Sequence, residues 1–494
     1  MSNPNSGTRY ERLVIRNATV INGRGTPPFG PVDILIEKDT ITEIAAVDPI
    51  SLNRAPPDWR RPEGDHEIDA AGMYVIPGIV NMHAHISFDD KCGPRGPEYA
   101  YKLSLAHGIT TIRTCGFGTD EKLVEHRRLS DENEITAPRL VILGSWPAEV
   151  TTPEGAREAV KKLHDLGVDG IKIIPRPHVN KEILEVIAEE ARKLGFPAGI
   201  AIHIPQYSEL DALDASEAGG DMMMIEHTYG IPQAAIPGSQ SLPPDYNYAD
   251  ELDRFRWSGK IWTEADQYPE RVRGVLETLV RNGTAWDPTM VVYEANRDLQ
   301  RARTFPWHEK YTVPQVWKQF EPSPGHHASY HFDWTTADEV AWKMKYRIWM
   351  KWLKAFFEMG GTITLGEDTA FIYQIFGFAA IREMELLQEA GIHPIDVIKI
   401  ATTNGAKRCG LKGLEHGIRQ GGKADLAVID GNPLHNFKVM YGTGVNRHTE
   451  DGRVVPGGGV VWTIKDGVVF DAKRLLKEVE EYVAEAREDL AKAG

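Results

Sequence analysis

Over residues 13–23 (LVIRNATVING) and 32–45 (VDILIEKDTITEIA) apolar side chains recur at every second position, with a GTPPFGP turn between them. That period belongs to a sheet, not a helix. The alternation returns near the other end in ADLAVIDGNP (424–433) and VVWTIKDGVVFD (460–471), each broken by Asp-Gly turn chemistry. Strand-rich stretches at both ends predict one composite β-sandwich domain over 1–78 plus 406–472. In residues 473–494 the period changes: Leu475, Val479, Val483, Ala486 and Leu490 follow helical spacing among charges, which predicts an amphipathic helix docked on the rest of the chain.

The middle of the chain has another rhythm. Short apolar runs bounded by Gly or Pro recur at 79–85, 109–114, 139–144, 168–174, 198–203, 222–227, 284–292 and 361–368. The first five begin about 30 residues apart, the length of a βα unit. Helical patterns lie between them, such as 181–194, where Ile183, Leu184, Ile187, Ala191 and Leu194 share a face. Eight buried-type strands separated by helices predict an α/β fold, a (β/α)8 TIM barrel over 79–405. Two intervals break the period and predict insertions at about 231–283 and 295–345. The longer gap between runs, 292–361, holds Trp307, Trp317, Trp334, Trp342, Trp349 and Trp352. These tryptophans either wall the active-site face as a lid or pack a helical excursion against the barrel or a second subunit.

Composition changes this picture little. The 494 residues carry 56 Lys+Arg against 71 Asp+Glu, a formal net charge of −15, so nucleic acid is not the expected partner. The 41% hydrophobic and 26% charged content is ordinary for a folded protein and excludes disordered and fibrous classes. Cys92, Cys115 and Cys409 are an odd, widely spaced set without CxxC, which points to a reducing cytoplasm and away from disulfides or a thiolate zinc site. Neither a signal peptide nor an apolar run of about 18 residues is present, so a membrane partner is not expected.

The chemistry sits at the strand ends. Asn81, His83 and His85 alternate along the first run and are expected to share its inward face, with Val80, Met82 and Ala84 directed toward the helices. Two histidines at i and i+2 suit one metal ion. His203, His227 and Asp368 close three further runs. Polar groups in an apolar barrel mouth cost several kcal/mol unless paired or metal-bound, so their convergence predicts a metal site. Lys172 lies among Ile171, Ile173 and Ile174. It either snorkels to the rim or, desolvated, becomes nucleophilic enough to form a carbamate with carbon dioxide, a ligand able to bridge two metals.

This set, HxH on strand one, Lys on strand four, His on strands five and six and Asp on strand eight, resembles the amidohydrolase superfamily, in its imidazolonepropionase-like and Xaa-Pro dipeptidase-like branch. VIPGIVNMHAH, DPTM after Trp286, and ATTNGAKRCGL followed by GIRQGGKADLAVIDGNP extend the resemblance along nearly the whole chain. It implies that His83, His85 and Asp368 hold one divalent metal and His203 and His227 a second, with Lys172 bridging as N6-carboxylysine. Zn2+ is the expected metal, with Mn2+ or Co2+ as substitutes. It further implies that a bridging hydroxide attacks a substrate carbonyl, with Asp368 moving the proton to the leaving group. The expected activity is hydrolysis of an amide or peptide-like C–N bond in an N-acyl amino acid, dipeptide or anilide, bulky or aromatic if the tryptophans wall the site. Cyclic-amide ring opening or deamination is the alternative. A non-catalytic scaffold would have lost ligands that are all present here.

One departure bears on the substrate. Dipeptidase-like relatives carry Gly-Gly-His between strands three and four, whereas GSWPAEVTTPEG (144–155) has no histidine. Tyr229, two residues past His227, together with Trp146, Arg176 and His178, are the candidate substrate contacts, Tyr229 also being a catalytic candidate. His326, His327 and His331, inside the insertion with no carboxylate placed to close a site, suit a surface or lid role better than a metal. A small-molecule substrate and a homo-oligomer complete the expectations.

Overall fold

The computed structural model describes residues 6–54, 56–93, 95–116, 119–324 and 329–493. Seven parallel strands form the central sheet: Ile79–Ala84, Ile109–Cys115, Arg139–Ser145, Gly170–Ile173, Gly199–Ile202, Met223–Glu226 and Ala285–Asp287, each beside its sequence neighbour. The eighth run pairs as a strand only at Ile363, opposite Trp286. Even so it closes the ring. Trp286 N donates to Thr362 O (2.9 Å), Thr364 N to Trp286 O (3.1 Å), and on the far side Met82 N to Leu365 O (2.7 Å). Only glycine fits at 366 in this segment: a Cβ there would meet His83 Cβ at 2.6 Å and the Asp287 carboxylate at 2.8 Å.

The strands follow the apolar pattern for a simple reason. Leu140, Ile142, Ile171, Ile173, Ile200, Ile202, Met223 and Ile225 face outward into the large core shared with the helices. Val141, Leu143, Ala201, Met224 and Ala285 face inward as a separate cluster, small enough to fill a barrel. Val80 and Met82 belong to that inner cluster, contrary to the expectation that they point to the helices. The pairing of the first strand with the second shifts register between Ile79 and Val80 and again between Asn81 and Ala84, so simple alternation fails there. The seventh strand is shorter than its apolar run, ending at Asp287, because Pro288 has no N–H for the ladder; Met290–Tyr293 is a 3-10 turn instead.

Helix Lys181–Leu194 occupies its predicted range. Asn180 Oδ1 accepts from Ile183 N at one end, and Gly195 takes φ 79° at the other. Strands from both chain ends are hydrogen-bonded into one nine-stranded sheet, in which Leu426–Asp430 from the C-terminal part lies between Gly459–Lys465 and Tyr74–Pro77. Its own core is built from alternate residues of both ends, including Leu13, Ile15, Ile34, Ile36, Leu426 and Val428. Buried polar contacts bind this sheet to the barrel: Arg139 reaches Asp425 at 2.5 Å and also Asp466, and Lys465 Nζ donates to Ser130 O at 2.6 Å.

The insertions are helical. Trp342, Trp349 and Trp352 lie on Thr336–Glu358, a helix opened by a Thr335–Asp338 capping box. All three are buried, as is Trp307, while Trp317 and Trp334 are partly buried against the same core. Of the two roles open to these tryptophans, the structure gives them packing. The terminal helix, Ala472–Ala493, buries Leu475, Val479, Val483 and Ala486, whereas Leu490 lies beyond the docked part and is 62% exposed.

Candidate metal centre

Each candidate ligand sits at the carboxyl end of its strand, where the backbone is held by cross-barrel hydrogen bonds. His203 N donates to Ile173 O (2.9 Å), His227 N to Asp287 O (2.8 Å) and Asp368 N to His83 O (2.8 Å). His227 and Asp368 have φ of 64° and 51°, left-handed values that side chains other than Gly adopt at a cost. That geometry lets both turn into the mouth of the barrel. Asn81, fully buried, braces the loop across from them: its Oδ1 accepts from His83 N (3.2 Å) and Glu367 N (3.3 Å).

The ligand atoms converge. His83 Nε2 and His85 Nε2 are 3.2 Å apart, and Asp368 Oδ1 lies 3.4 Å from the first and 2.9 Å from the second. Donors bound at about 2.1 Å around a tetrahedral ion stand roughly 3.4 Å apart, so this triplet matches the spacing a single cation requires. His227 packs 4.9 Å from His83 and 4.6 Å from His203, ring centre to ring centre. Its Nδ1 is 2.6 Å from Thr289 Oγ1 and 3.7 Å from Asp368 Oδ2. Burial, with nearby Lys172 adding to it, pushes the His83 and His227 imidazoles well below their ordinary range. Both rings are therefore neutral at pH 7, the form a metal ligand needs.

Lys172 enters from the fourth strand with 5% of its surface exposed. Burial pushes its ammonium below the ordinary range, and Cys115 and Asp368 pull the other way. Its Nζ abuts Glu226 Oε2. Glu226 also accepts from Arg113 Nη2 (2.6 Å) and lies 3.4 Å from His83 Nδ1, every group in that set being almost fully buried. Asp287 lies 3.8 Å from Arg113, and burial pushes its carboxyl up to about 6. His83, Cys115 and Glu226 form a second trio close enough to hold a cation. His83, His85 and Asp368 thus have the spacing one divalent ion requires, while His203 and His227 lie beside them ring to ring and Lys172 sits against Glu226.

Arg113, Glu226, Asp287 and Thr289 were not among the predicted site residues. For Arg113 and Glu226 the signal was present, a charge inside each apolar run ITTIRT and MMMIEH. Of the candidate substrate contacts, Tyr229 stacks its ring on His203 at 5.2 Å while its hydroxyl accepts from Ser258 Oγ at 3.4 Å, and Trp146 N donates to Lys172 O at 3.0 Å. Trp146 and His178 are half-buried and Arg176 is exposed; neither these three nor Tyr229 lines the cavity of about 970 Å3 beside His85. His331 is buried, with Nε2 2.9 Å from Asn296 Oδ1, a packing role; His326 and His327 lie outside the described residues.

A barrel that gathers histidines, a lysine and an aspartate at its strand ends defines a class of proteins built around a metal-ligand set. Residues 74–240 match the Amidohydrolase family, and over that stretch the resemblance drawn from the motifs holds. Among curated relatives, a dihydroorotase from Geobacter sp. (strain M21) is 26% identical over 157 residues, covering 30% of this chain and 34% of its own. An allantoinase from Streptomyces avermitilis is 25% identical over 214 residues, 42% of this chain and 44% of its own. The chain thus spans about a third of the length of the first curated relative it matches. Solved structures share the fold over nearly all of it. A bottromycin amidohydrolase covers 97% of this chain and 91% of its own at TM-score 0.67 and 17% identity. An A. niger ochratoxinase covers 94% and 96% at 0.60 and 16%. A Xaa-Pro dipeptidase with methionine in its active site covers 93% and 100% at 0.59 and 17%.

Proposed function

We propose that the protein is a metal-dependent hydrolase that cleaves an amide or peptide-like C–N bond. The observation that carries this is the close packing of His83, His85 and Asp368, with His227 and His203 beside them at the same barrel end. Two divalent ions, Zn2+ first, would acidify a water and polarise the substrate carbonyl when bound. The chain's own groups do the rest. Neutral His83 and His227 present lone pairs. Lys172, its amine released by burial, combines with carbon dioxide as an N6-carboxylysine and loses a proton in doing so. Asp368 accepts the proton of the attacking water and returns it to the leaving nitrogen as the C–N bond breaks, giving a carboxylic acid and an amine. Tyr229, stacked on His203, holds that ring in place.

Support for an acyclic substrate comes from the solved structures that match the whole chain, which include a dipeptidase and an ochratoxinase. A second reading, hydrolysis of a cyclic amide, is favoured by the dihydroorotase and allantoinase among the sequence relatives. Metal-loaded protein assayed on N-acyl amino acids, dipeptides, anilides and cyclic amides separates them: the account expects turnover of open-chain aromatic amides. Lys172→Ala is expected to lower kcat/KM by roughly 100-fold or more. A fully active Lys172→Ala enzyme would sink the two-metal mechanism.

A further inference from the structure

Lys345 is fully buried, and nothing in the metal centre described above uses it. It stands on the insertion helix Thr336–Glu358, its Nζ 3.8 Å from the ring centre of Trp342 and between 5.6 and 5.8 Å from those of Tyr229, Tyr293 and Trp349. Four ring faces surround one amine. Its Nζ donates to Ser258 Oγ at 2.8 Å, at the end of helix Glu251–Ser258 in the other insertion, and among the described residues no carboxylate pairs with it. Burial pushes the ammonium well below its ordinary range. A leucine or methionine would fill such a box without that cost, so packing does not account for a lysine here.

Two of the four rings touch candidate ligands. Tyr229 stacks on His203 at 5.2 Å, and Tyr293 meets His227 edge-on at 5.9 Å. Ser258 Oγ accepts from the lysine and donates to the Tyr229 hydroxyl at 3.4 Å. The amine therefore reaches each imidazole through one intervening ring, and both insertions meet at it. Resting on the metal-hydrolase reading above, we propose that Lys345 is a positioning residue: through Ser258 and the faces of Tyr229 and Tyr293 it fixes the His203 and His227 rings in the orientation that binds a metal ion. Thr289 already holds His227 at Nδ1, so the larger effect falls on His203. His83 and Asp368 are set by their own strand ends, His83 N on Asn81 Oδ1 and Asp368 N on His83 O, so the lysine acts on the other side of the centre.

The test uses full-length protein stripped of metal and titrated with Zn2+ against a chelating indicator, which reads each dissociation constant. Groups that orient a metal-binding histidine are worth about 10–100-fold in affinity, and a group acting through one further ring belongs at the low end. In Lys345→Met one ion should bind about tenfold more weakly while the other keeps its affinity. The metal-free fold should melt no lower, because an apolar chain has replaced a buried amine without a counter-charge. Weaker metal binding on an equally stable fold is a result that a packing role does not give. Ser258→Ala leaves the lysine and cuts its link to Tyr229, so it should reproduce the weakening and decides the matter if Lys345→Met does not fold. NMR spectra of metal-free protein with labelled histidines read the rings directly: the His203 and His227 signals should move in both variants and that of His85 should not. If the original protein binds one ion only, the two-metal reading fails, while moved His203 signals still support the positioning role. Ions bound as tightly in both variants as in the original protein, with unmoved histidine signals, would overturn the role of Lys345 and leave the hydrolase reading standing. So would a loss of affinity shared equally by both ions.

Discussion

His227 and Asp368 reach the site through left-handed backbone, φ 64° and 51°, and that single feature explains what the sequence pattern could and could not show at the residue scale. Met224 belongs to the inner cluster and Glu226 reaches His83, so alternation by itself would turn His227 away; its φ of 64° lets it pack 4.9 Å from His83 instead. Residue type at a strand end was enough to mark the histidines, whereas Glu226 and Arg113 stood in mid-run. A buried histidine away from the site gives a pH test. His107 Nδ1 lies 2.8 Å from Leu103 O, and burial pushes its imidazole down to about 4. Above pH 6.5 both folded and unfolded forms are neutral. As pH falls from 6.5 to about 4 only the unfolded chain takes the proton, so stability falls by about 3 kcal/mol. Denaturant midpoints measured across that range should drop, and drop less in His107→Asn. A slope unchanged by the substitution would place the titration elsewhere.

At the scale of elements the barrel was legible because each βα unit repeats the same length and the same apolar burial, as strands 109–115 and 139–145 and helix 181–194 show. It differs from the pattern where Pro288 ends the seventh strand and where the eighth run pairs only at Ile363. The inner face of the barrel also depends on a pair the alternation alone does not reveal. Arg113 joins strand two to Glu226 on strand six, its Nε also donating to Met82 O at 2.5 Å, with both side chains fully buried. Removing one partner of a buried pair leaves an uncompensated charge, so Arg113→Met should cost about 3–5 kcal/mol, and adding Glu226→Gln should recover part of it. Chemical denaturation of the two variants checks this. An Arg113→Met variant as stable as the original protein would contradict this role of the pair.

Over the whole molecule, strands from both chain ends join one sheet, and their pairing could be anticipated because both ends show the same period of two. The order of pairing could not, since it sets Leu426–Asp430 between Gly459–Lys465 and Tyr74–Pro77, segments far apart along the chain. The terminal helix supplies a graded test of docking. Leu475 is fully buried and Leu490 is 62% exposed, so Leu475→Ala should lower stability by about 2–5 kcal/mol while Leu490→Ala changes it by less than about 0.5 kcal/mol. Thermal melts of the pair decide it; equal losses would mean that the end of the helix is covered in solution.

The central claim is that six side chains from five parts of the barrel hold two metal ions, and counting those ions tests it most directly. Protein stripped with a chelator, reconstituted with Zn2+ and dialysed should retain close to two ions per chain by elemental mass spectrometry, and His83→Ala or His227→Ala should each retain fewer. One ion per chain in the intact protein, unchanged by His203→Ala and His227→Ala, would contradict the two-metal centre.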